Sequence, residues 1–243
     1  LSNQVVIIPT YNEIENIEAI ILRILDLSIH PHILIVDDGS PDGTADKVKE
    51  LQNKHTGKIH LIERKGKLGL GTAYIRGFKY ALELGYNYIF EMDADFSHNP
   101  NDLIPLFEAC SKEGYDLAIG SRYVTGVNVV NWPMGRVIMS YFASKYVKFI
   151  TGMPISDATA GFKCYKKEVL QTIDLDKIRF VGYAFQIEMK FKIWKYKFKI
   201  KEVPIIFTDR TKGQSKMSNK IFTEAFFGVI HLKINSLFRT FQR

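Results

Sequence analysis

Of the 243 residues, 46% are apolar and 24% charged, and the formal net charge is +7. A chain of this length and apolar content buries a large core as one α/β domain, with or without a helical appendage, which excludes disorder and a fibrous fold. The positive charge favours an anionic partner, be it nucleotide, phospholipid headgroup or nucleic acid, without choosing among them.

Cys110 and Cys164 are the only cysteines. They are too few for a disulfide framework and lack the paired spacing of a zinc site, which points to a reducing compartment. The first residues enter a strand pattern at once rather than a basic-then-apolar one, so a signal peptide is not expected there. Lys145, Lys148, Glu224 and Lys233 interrupt the best candidate spans, so membrane contact is expected to be peripheral.

In chain order, Val5-Val6-Ile7-Ile8 is a short, continuously apolar run, as in a strand buried on both faces. Pro9-Thr10-Tyr11-Asn12-Glu13 ends it, and Ile14, Ile17, Ile20, Ile21, Ile24 and Leu25 recur at helical spacing. Ile33-Leu34-Ile35-Val36 repeats the strand pattern and is closed by Asp37-Asp38-Gly39-Ser40-Pro41-Asp42-Gly43; a helix is predicted from Thr44 or Ala45, with Val48 and Leu51 inward. Strands at 59–62, 88–91 and 117–119 and helices at 72–84 and 103–109 continue the alternation. This cadence predicts a mostly parallel sheet covered on both faces. The glycines of 66–71 have neither the dinucleotide fingerprint nor a phosphate-loop ending, and are read as a turn opening a closely packed helix, with a substrate-side loop as the alternative.

Ligands collect at the carboxyl ends of strands in such sheets. Asp93 and Asp95, two residues apart after strand 88–91, would point to one side and share an oxygen-coordinated Mg²⁺ or Mn²⁺ that keeps positions open for substrate phosphates. The alternative is a capping and a solvated aspartate at a turn. After the second strand, Asp37 is expected to meet a base edge and Asp38 a ribose hydroxyl or the ion, against an Asx-turn that needs no ligand. Together the two loops predict a carboxylate-lined cleft.

Residues 137–150 form a mostly apolar helical run carrying Ser140, Lys145 and Lys148, read as a buried helix or as one lying on a bilayer surface. A loop and short strand at 157–165 return toward the cleft. Gln186 and Glu188 fall near the start of a helix, where Glu188 faces either a sugar pocket or solvent. Residues 200–207, broken by Pro204, read as an edge-like strand. The loop that follows offers Arg210, Lys212 and Lys216 around Gly213; it can close over a pyrophosphate, Arg210 forking onto oxygens and Lys216 acting as a point charge. From Lys220 onward, apolar residues recur at helical intervals, the first half suited to core packing and the second to a membrane or partner.

A dicarboxylate-bound cation facing a basic loop fits a diphosphate leaving group. No histidine or cysteine is placed as a nucleophile: His98 reads as a turn residue and Cys110 as a packed side chain. An acceptor that is already an anion, such as a lipid phosphate, needs no general base, and Arg122, Arg136 and Ser140 would hold it in line. The basic residues form no groove-reading helix or aromatic single-strand platform, so no nucleic-acid partner is expected.

Several of these segments, taken together, resemble the dolichyl- or polyprenyl-phosphate mannosyltransferases of glycosyltransferase family 2. They are Pro9-Thr10-Tyr11-Asn12-Glu13, Val36-Asp37-Asp38-Gly39-Ser40, Asp93-Ala94-Asp95-Phe96-Ser97-His98, Gly120-Ser121-Arg122-Tyr123, Trp132-Pro133, Asp157-Ala158-Thr159-Ala160-Gly161-Phe162 and Arg210-Thr211-Lys212-Gly213-Gln214-Ser215-Lys216. The resemblance implies an α/β GT-A fold, with a Rossmann-like, mostly parallel sheet flanked by helices. It further implies a catalytic domain over 1–217, with acceptor-side helices near 132–150, and a C-terminal amphipathic helix over 218–243.

The implied reaction is metal-dependent, inverting transfer of mannose from GDP-mannose to dolichyl or polyprenyl phosphate, with release of GDP. Pro9, Tyr11, Glu13, Asp37, Asp38, Asp93, Ala94, Asp95, Arg210 and Lys216 would form the nucleotide-sugar side, and Arg122, Arg136 and Ser140 the acceptor-phosphate side. Asp95, Arg122, Arg210 and Lys216 would carry catalysis. Asp93 and Asp95 would hold Mg²⁺ or Mn²⁺, and Ser97 stands where some relatives add a glutamine to the metal shell. The implied location is the cytoplasmic side of a membrane, endoplasmic reticulum or plasma membrane, reached through amphipathic helices or a small anchoring subunit. Rival readings are a UDP-glucose-dependent polyprenyl-phosphate glucosyltransferase and a non-catalytic nucleotide-binding, membrane-associated module.

Overall fold

The computed structural model describes residues 3–210, 219–238, 240 and 241. Its centre is a seven-stranded sheet in the order β3-β2-β1-β4-β7-β5-β8. Here β1 is Gln4–Thr10, β2 His32–Asp37, β3 Ile59–Glu63, β4 Tyr88–Glu91, β5 Leu117–Ser121, β7 Lys163–Lys166 and β8 Ile200–Pro204. All neighbours run parallel except β7, which lies antiparallel between β4 and β5.

The apolar runs are continuous because both faces of the sheet are covered. Alternate residues point to opposite sides: Val6, Ile8, Ile33 and Ile35 pack on one face with α1 (Ile17–Leu25), α2 (Thr44–Lys54) and α4 (Leu103–Ser111). Val5, Ile7, Leu34 and Val36 pack on the other with α3 (Leu70–Glu83), α6 (Lys167–Thr172) and α7 (Tyr183–Lys195). Ile14, expected on the first helix, lies ahead of it and is exposed.

The glycines around α3 permit close approach. A β-carbon at Gly77 would sit 2.7 Å from Ile7 Cγ2, and one at Gly71 would sit 2.8 Å from the Phe185 ring. The expected close packing is there, against α7 as well as the sheet.

Two helices complete the second face. α5 (Met134–Thr151) and α8 (Asn219–Leu237) pack together through the stacked Tyr146 and Phe226 rings, 4.9 Å between centroids. Val147 of α5 and Val229 and Leu232 of α8 join the main core, so α8 is docked on the domain. A separate parallel pair, β6 (Val129–Val130) with β9 (Phe207–Thr208), ties the segment before α5 to the one leading to Arg210. A strand of two residues is too short to carry a periodic signal in the sequence.

Candidate active site

The acidic end of β4 lies where expected, but in a turn beyond the strand. β4 stops at Glu91; Phe96 adopts φ +58°, a backbone region costly for a side chain of its size, and Ser97 N–H donates to Asp95 Oδ1 at 3.1 Å. Asp95 is buried and pairs with Arg210 Nη2 at 3.3 Å. Asp93 keeps 41% of its side-chain surface, and desolvation, then the Asp95 charge, push its carboxyl up to about 7.

His98 is a wedge. Its Nδ1 accepts the Asp93 backbone N–H at 3.4 Å, and its ring stacks on Phe162 at 4.7 Å and meets Phe207 edge-on at 5.2 Å. Burial lowers its pKa to about 4, so the imidazole is neutral and holds three segments in register. Its aromatic partners are far away in sequence, so local reading took it for a turn residue.

Along the ends of β1 and β2 the two adjacent aspartates separate. Asp38 faces the cleft and is held by Arg64, whose Nε donates to Oδ1 at 2.6 Å. Asp37 departs from its expected contact with a base edge. It is fully buried, and its carboxylate accepts from Thr10 Oγ1 at 2.8 Å, Ser40 N–H at 2.8 Å and Ser40 Oγ at 2.6 Å. With no exposed oxygen it braces the loop, as an Asx-turn does. Arg64 sits in the loop after β3 beside Lys65 and Lys67, where nothing local marks its pairing with the distant Asp38.

Opposite lies Arg122, aimed by a buried carboxylate. Its Nε and Nη2 fork onto Asp157 at 2.7 and 2.6 Å, and Nη2 also donates to Thr159 Oγ1 at 2.8 Å. Asp157 is in turn fixed from below: Glu202 of β8 accepts the Ser156 and Asp157 N–H groups at 2.8 and 2.9 Å, and the buried Lys190 amine donates to Ala158 and Ala160 carbonyls at 2.9 and 2.6 Å. Arg136 pairs with Asp209 at 2.9 Å and lies 4.0 Å over the Trp132 ring, while Ser140 Oγ accepts from Tyr123 OH at 2.8 Å. The sequence singled out the two arginines and the serine but not Glu202 or Lys190, which read locally as ordinary surface charges.

Both walls enclose one cavity of about 1210 Å³. Pro9, Tyr11, Glu13, Asp38, Asp93, Ala94, Asp95 and Arg210 line it with Arg122, Arg136 and Ser140, and Phe142, Ala143, Val147 and Phe226 carry it between α5 and α8. Lys216 lies outside the described residues. Glu188, expected toward a sugar or solvent, does neither: it is buried, accepts the Arg179 and Phe180 N–H groups at 2.9 and 3.1 Å, and pairs with Lys192 at 2.8 Å.

The profile of glycosyl transferase family 2 matches residues 5–174, which carry β1 to β5, β7 and the cleft aspartates Asp38, Asp93 and Asp95. This chain belongs to glycosyltransferase family 2. Among its relatives, the polyprenol monophosphomannose synthase of Mycolicibacterium smegmatis is 47% identical over 224 residues, covering 92% of this chain and 84% of the relative. The undecaprenyl-phosphate mannosyltransferase of Micrococcus luteus is 44% identical over 223 residues, covering 92% and 90%. Among solved structures, glucosyl-3-phosphoglycerate synthase from Mycobacterium tuberculosis, in complex with Mn²⁺, UDP and glucosyl-3-phosphoglycerate, superposes with a TM-score of 0.66 at 17% identity, covering 96% of this chain and 78% of that one. That likeness establishes the GT-A fold.

As a family 2 glycosyltransferase the chain is an enzyme, and its acidic turn fits a divalent cation on chemical grounds. Asp93 and Asp95 crowd two carboxylates at a cavity wall; burial first and then the Asp95 charge raise the Asp93 pKa, and a cation would offset both by favouring the ionised form. Ser97 Oγ is buried and makes no hydrogen bond among the described residues, which leaves its lone pairs for a further ligand. No cluster of three His, Cys, Asp or Glu side chains exists there among the described residues, so a bound cation would draw its remaining ligands from substrate, water or Ser97.

Proposed function

We propose that this chain transfers mannose from GDP-mannose to a polyprenyl or dolichyl phosphate, inverting the anomeric carbon and releasing GDP. The observation that carries the reading is the shared cavity: acidic turn and Arg210 on one wall, Arg122, Arg136 and Ser140 on the other, and an apolar mouth between α5 and α8. Relatives named for mannosyl transfer to polyprenol and undecaprenyl phosphate support the donor and acceptor over the UDP-glucose alternative.

Asp93 and Asp95 would hold Mg²⁺ or Mn²⁺, which when bound neutralises charge developing on the departing diphosphate. Arg210, beside Asp95, adds fixed positive charge there. Pro9, Tyr11, Glu13 and Asp38 would seat the nucleoside, with Arg64 fixing Asp38. Arg122, locked by Asp157, and Arg136 orient the acceptor phosphate for in-line attack. That oxygen is already anionic, so no proton is removed. Among the described residues His98 is the one imidazole on the cavity wall, and its Nδ1 is engaged by Asp93 N–H.

The acceptor would arrive from a bilayer at whose cytoplasmic surface the α5 and α8 faces lie. No described helix is long and apolar enough to cross a membrane. Phe142, Phe149, Phe227, Leu237 and Phe238 are nevertheless 64–85% exposed on or just beyond the two helices, with Lys145 and Lys148 beside them on α5.

Mass analysis of products after incubation with GDP-mannose or UDP-glucose, Mg²⁺ or Mn²⁺ and a polyprenyl phosphate tests the reading. Mannosyl phosphopolyprenol and GDP are expected. Equal or greater product from UDP-glucose would overturn the donor, and no lipid product from either would overturn the reaction.

A further inference from the structure

Gln186, in the first turn of α7, is 2% exposed yet forms part of the cavity wall. Its amide is caught between opposite charges. Nε2 donates to Glu91 Oε2 at 2.7 Å, and Oε1 accepts from the Lys163 ammonium. Those charges are a fully buried pair, 3.1 Å apart, facing each other across β4 and β7; Tyr165 donates its hydroxyl to Glu91 at 2.5 Å and accepts from Lys163 at 2.9 Å. A carboxylate only accepts and an ammonium only donates, so the amide cannot turn over without setting acceptor against acceptor and donor against donor.

An amide carries two N–H donors and two acceptor lone pairs, and the network uses one of each. A donor and an acceptor therefore remain on an amide whose orientation is fixed, and either can serve a sugar hydroxyl. Glu91 stands two residues before Asp93, so the amide is anchored to the strand end that carries the acidic turn. Gly161 is close by: a β-carbon there would lie 3.5 Å from Gln186 Nε2, in ordinary contact with the amide. Satisfying the Glu91–Lys163 pair explains two of the amide's bonds but not its place on the cavity wall.

We propose that Gln186 is a specificity-determining residue that hydrogen-bonds a hydroxyl of the transferred hexose, a role that rests on the mannosyl-transfer reading. The test compares wild type and Gln186→Met with GDP-mannose and with analogues lacking one sugar hydroxyl at a time. One analogue is expected to lose about tenfold in kcat/KM with the wild type. With Gln186→Met that analogue and GDP-mannose are used equally well, at a reduced rate, while GDP affinity stays within twofold. Gly161→Ala leaves the network intact and places a methyl group in ordinary contact with Nε2; it is expected to narrow the same ratio, which covers the case of a poorly folding Gln186→Met.

The assignment is overturned if both variants retain the wild-type penalty for every deoxy analogue, or if GDP affinity falls as much as kcat/KM. A wild type that ignores GDP-mannose refutes the donor instead. The same deoxy series on the hexose donor it does use then decides Gln186 separately.

Discussion

Arg210 Nη2 stands 3.3 Å from Asp95 Oδ2, so a cation from the segment after β9 and a carboxylate from the end of β4 meet at one point of the cleft wall. Asp95→Asn keeps the shape and removes the charge. We expect transfer to fall by at least about 100-fold, with little change in thermal unfolding. Product formation and a melting curve on one preparation check both halves, and an active Asp95→Asn enzyme would remove this residue from the mechanism.

Asp93 supplies a pH dependence. With its carboxyl raised to about 7, a proton competes with a divalent cation below that pH. Mn²⁺ affinity, measured by calorimetry, should drop by roughly tenfold per unit as pH falls from 7 toward 5 and level off above 7. For an acid whose folded-state pKa lies above its unfolded value of about 3.8, the folded state binds the proton more tightly. This group's contribution to metal-free stability therefore rises as pH falls from about 7 to 4, and is lost as pH rises again. Added Mn²⁺ should accordingly raise the melting temperature more at pH 8 than at pH 6. A flat affinity profile argues against Asp93 as a ligand.

The Arg122–Asp157 fork should be structural and functional at once. Burial pushes the Asp157 carboxyl up, but the charge and hydrogen bonds of Arg122 outweigh it and hold it below the ordinary range. Its stabilisation is thus present above a pH of about 3.8 and lost as acid carries the pH down through the folded value. Asp157→Asn leaves a buried guanidinium without its counter-charge and is expected to cost about 3–5 kcal/mol in urea unfolding. In the surviving folded fraction, KM for the lipid phosphate should rise while GDP affinity holds.

Beneath the acidic turn, the Glu91–Lys163 pair offers a double-mutant cycle. Lys163→Met strands a buried carboxylate and should destabilise by about 3–5 kcal/mol. Adding Glu91→Gln should restore more than half of that, because the neutral pair leaves no charge uncompensated. Additive losses would mean that the two side chains are not coupled.

The α5 and α8 surface predicts lipid dependence. Phe142→Asp combined with Phe227→Asp, at positions 64% exposed, should leave the melting temperature unchanged. The pair should reduce co-flotation with anionic vesicles by about tenfold or more. Undiminished flotation would assign membrane attachment to another surface or to an anchoring subunit.

Much of this enzyme was legible without coordinates. The continuous apolar runs at Val5-Val6-Ile7-Ile8 and Ile33-Leu34-Ile35-Val36, the helical spacing of Ile17 to Ile24, and the polar loops after each strand determined a two-faced parallel sheet with chemistry at its carboxyl ends. Local period and turn chemistry suffice for that, since each signal lies within a few residues. The Asp93 and Asp95 turn and the Arg122, Arg136 and Ser140 set were visible as residue types in order.

Only the tertiary structure decided which charges face the cleft and which are spent on one another. β7 enters antiparallel and sets Lys163 against Glu91; Asp37 turns inward while its neighbour Asp38 faces the cleft; Asp157 locks Arg122; His98 wedges between Phe162 and Phe207. Each of these outcomes depends on partners brought together from distant parts of the chain. A charged side chain's role is set by what desolvates and pairs it, and that is a property of the packed molecule rather than of the local sequence.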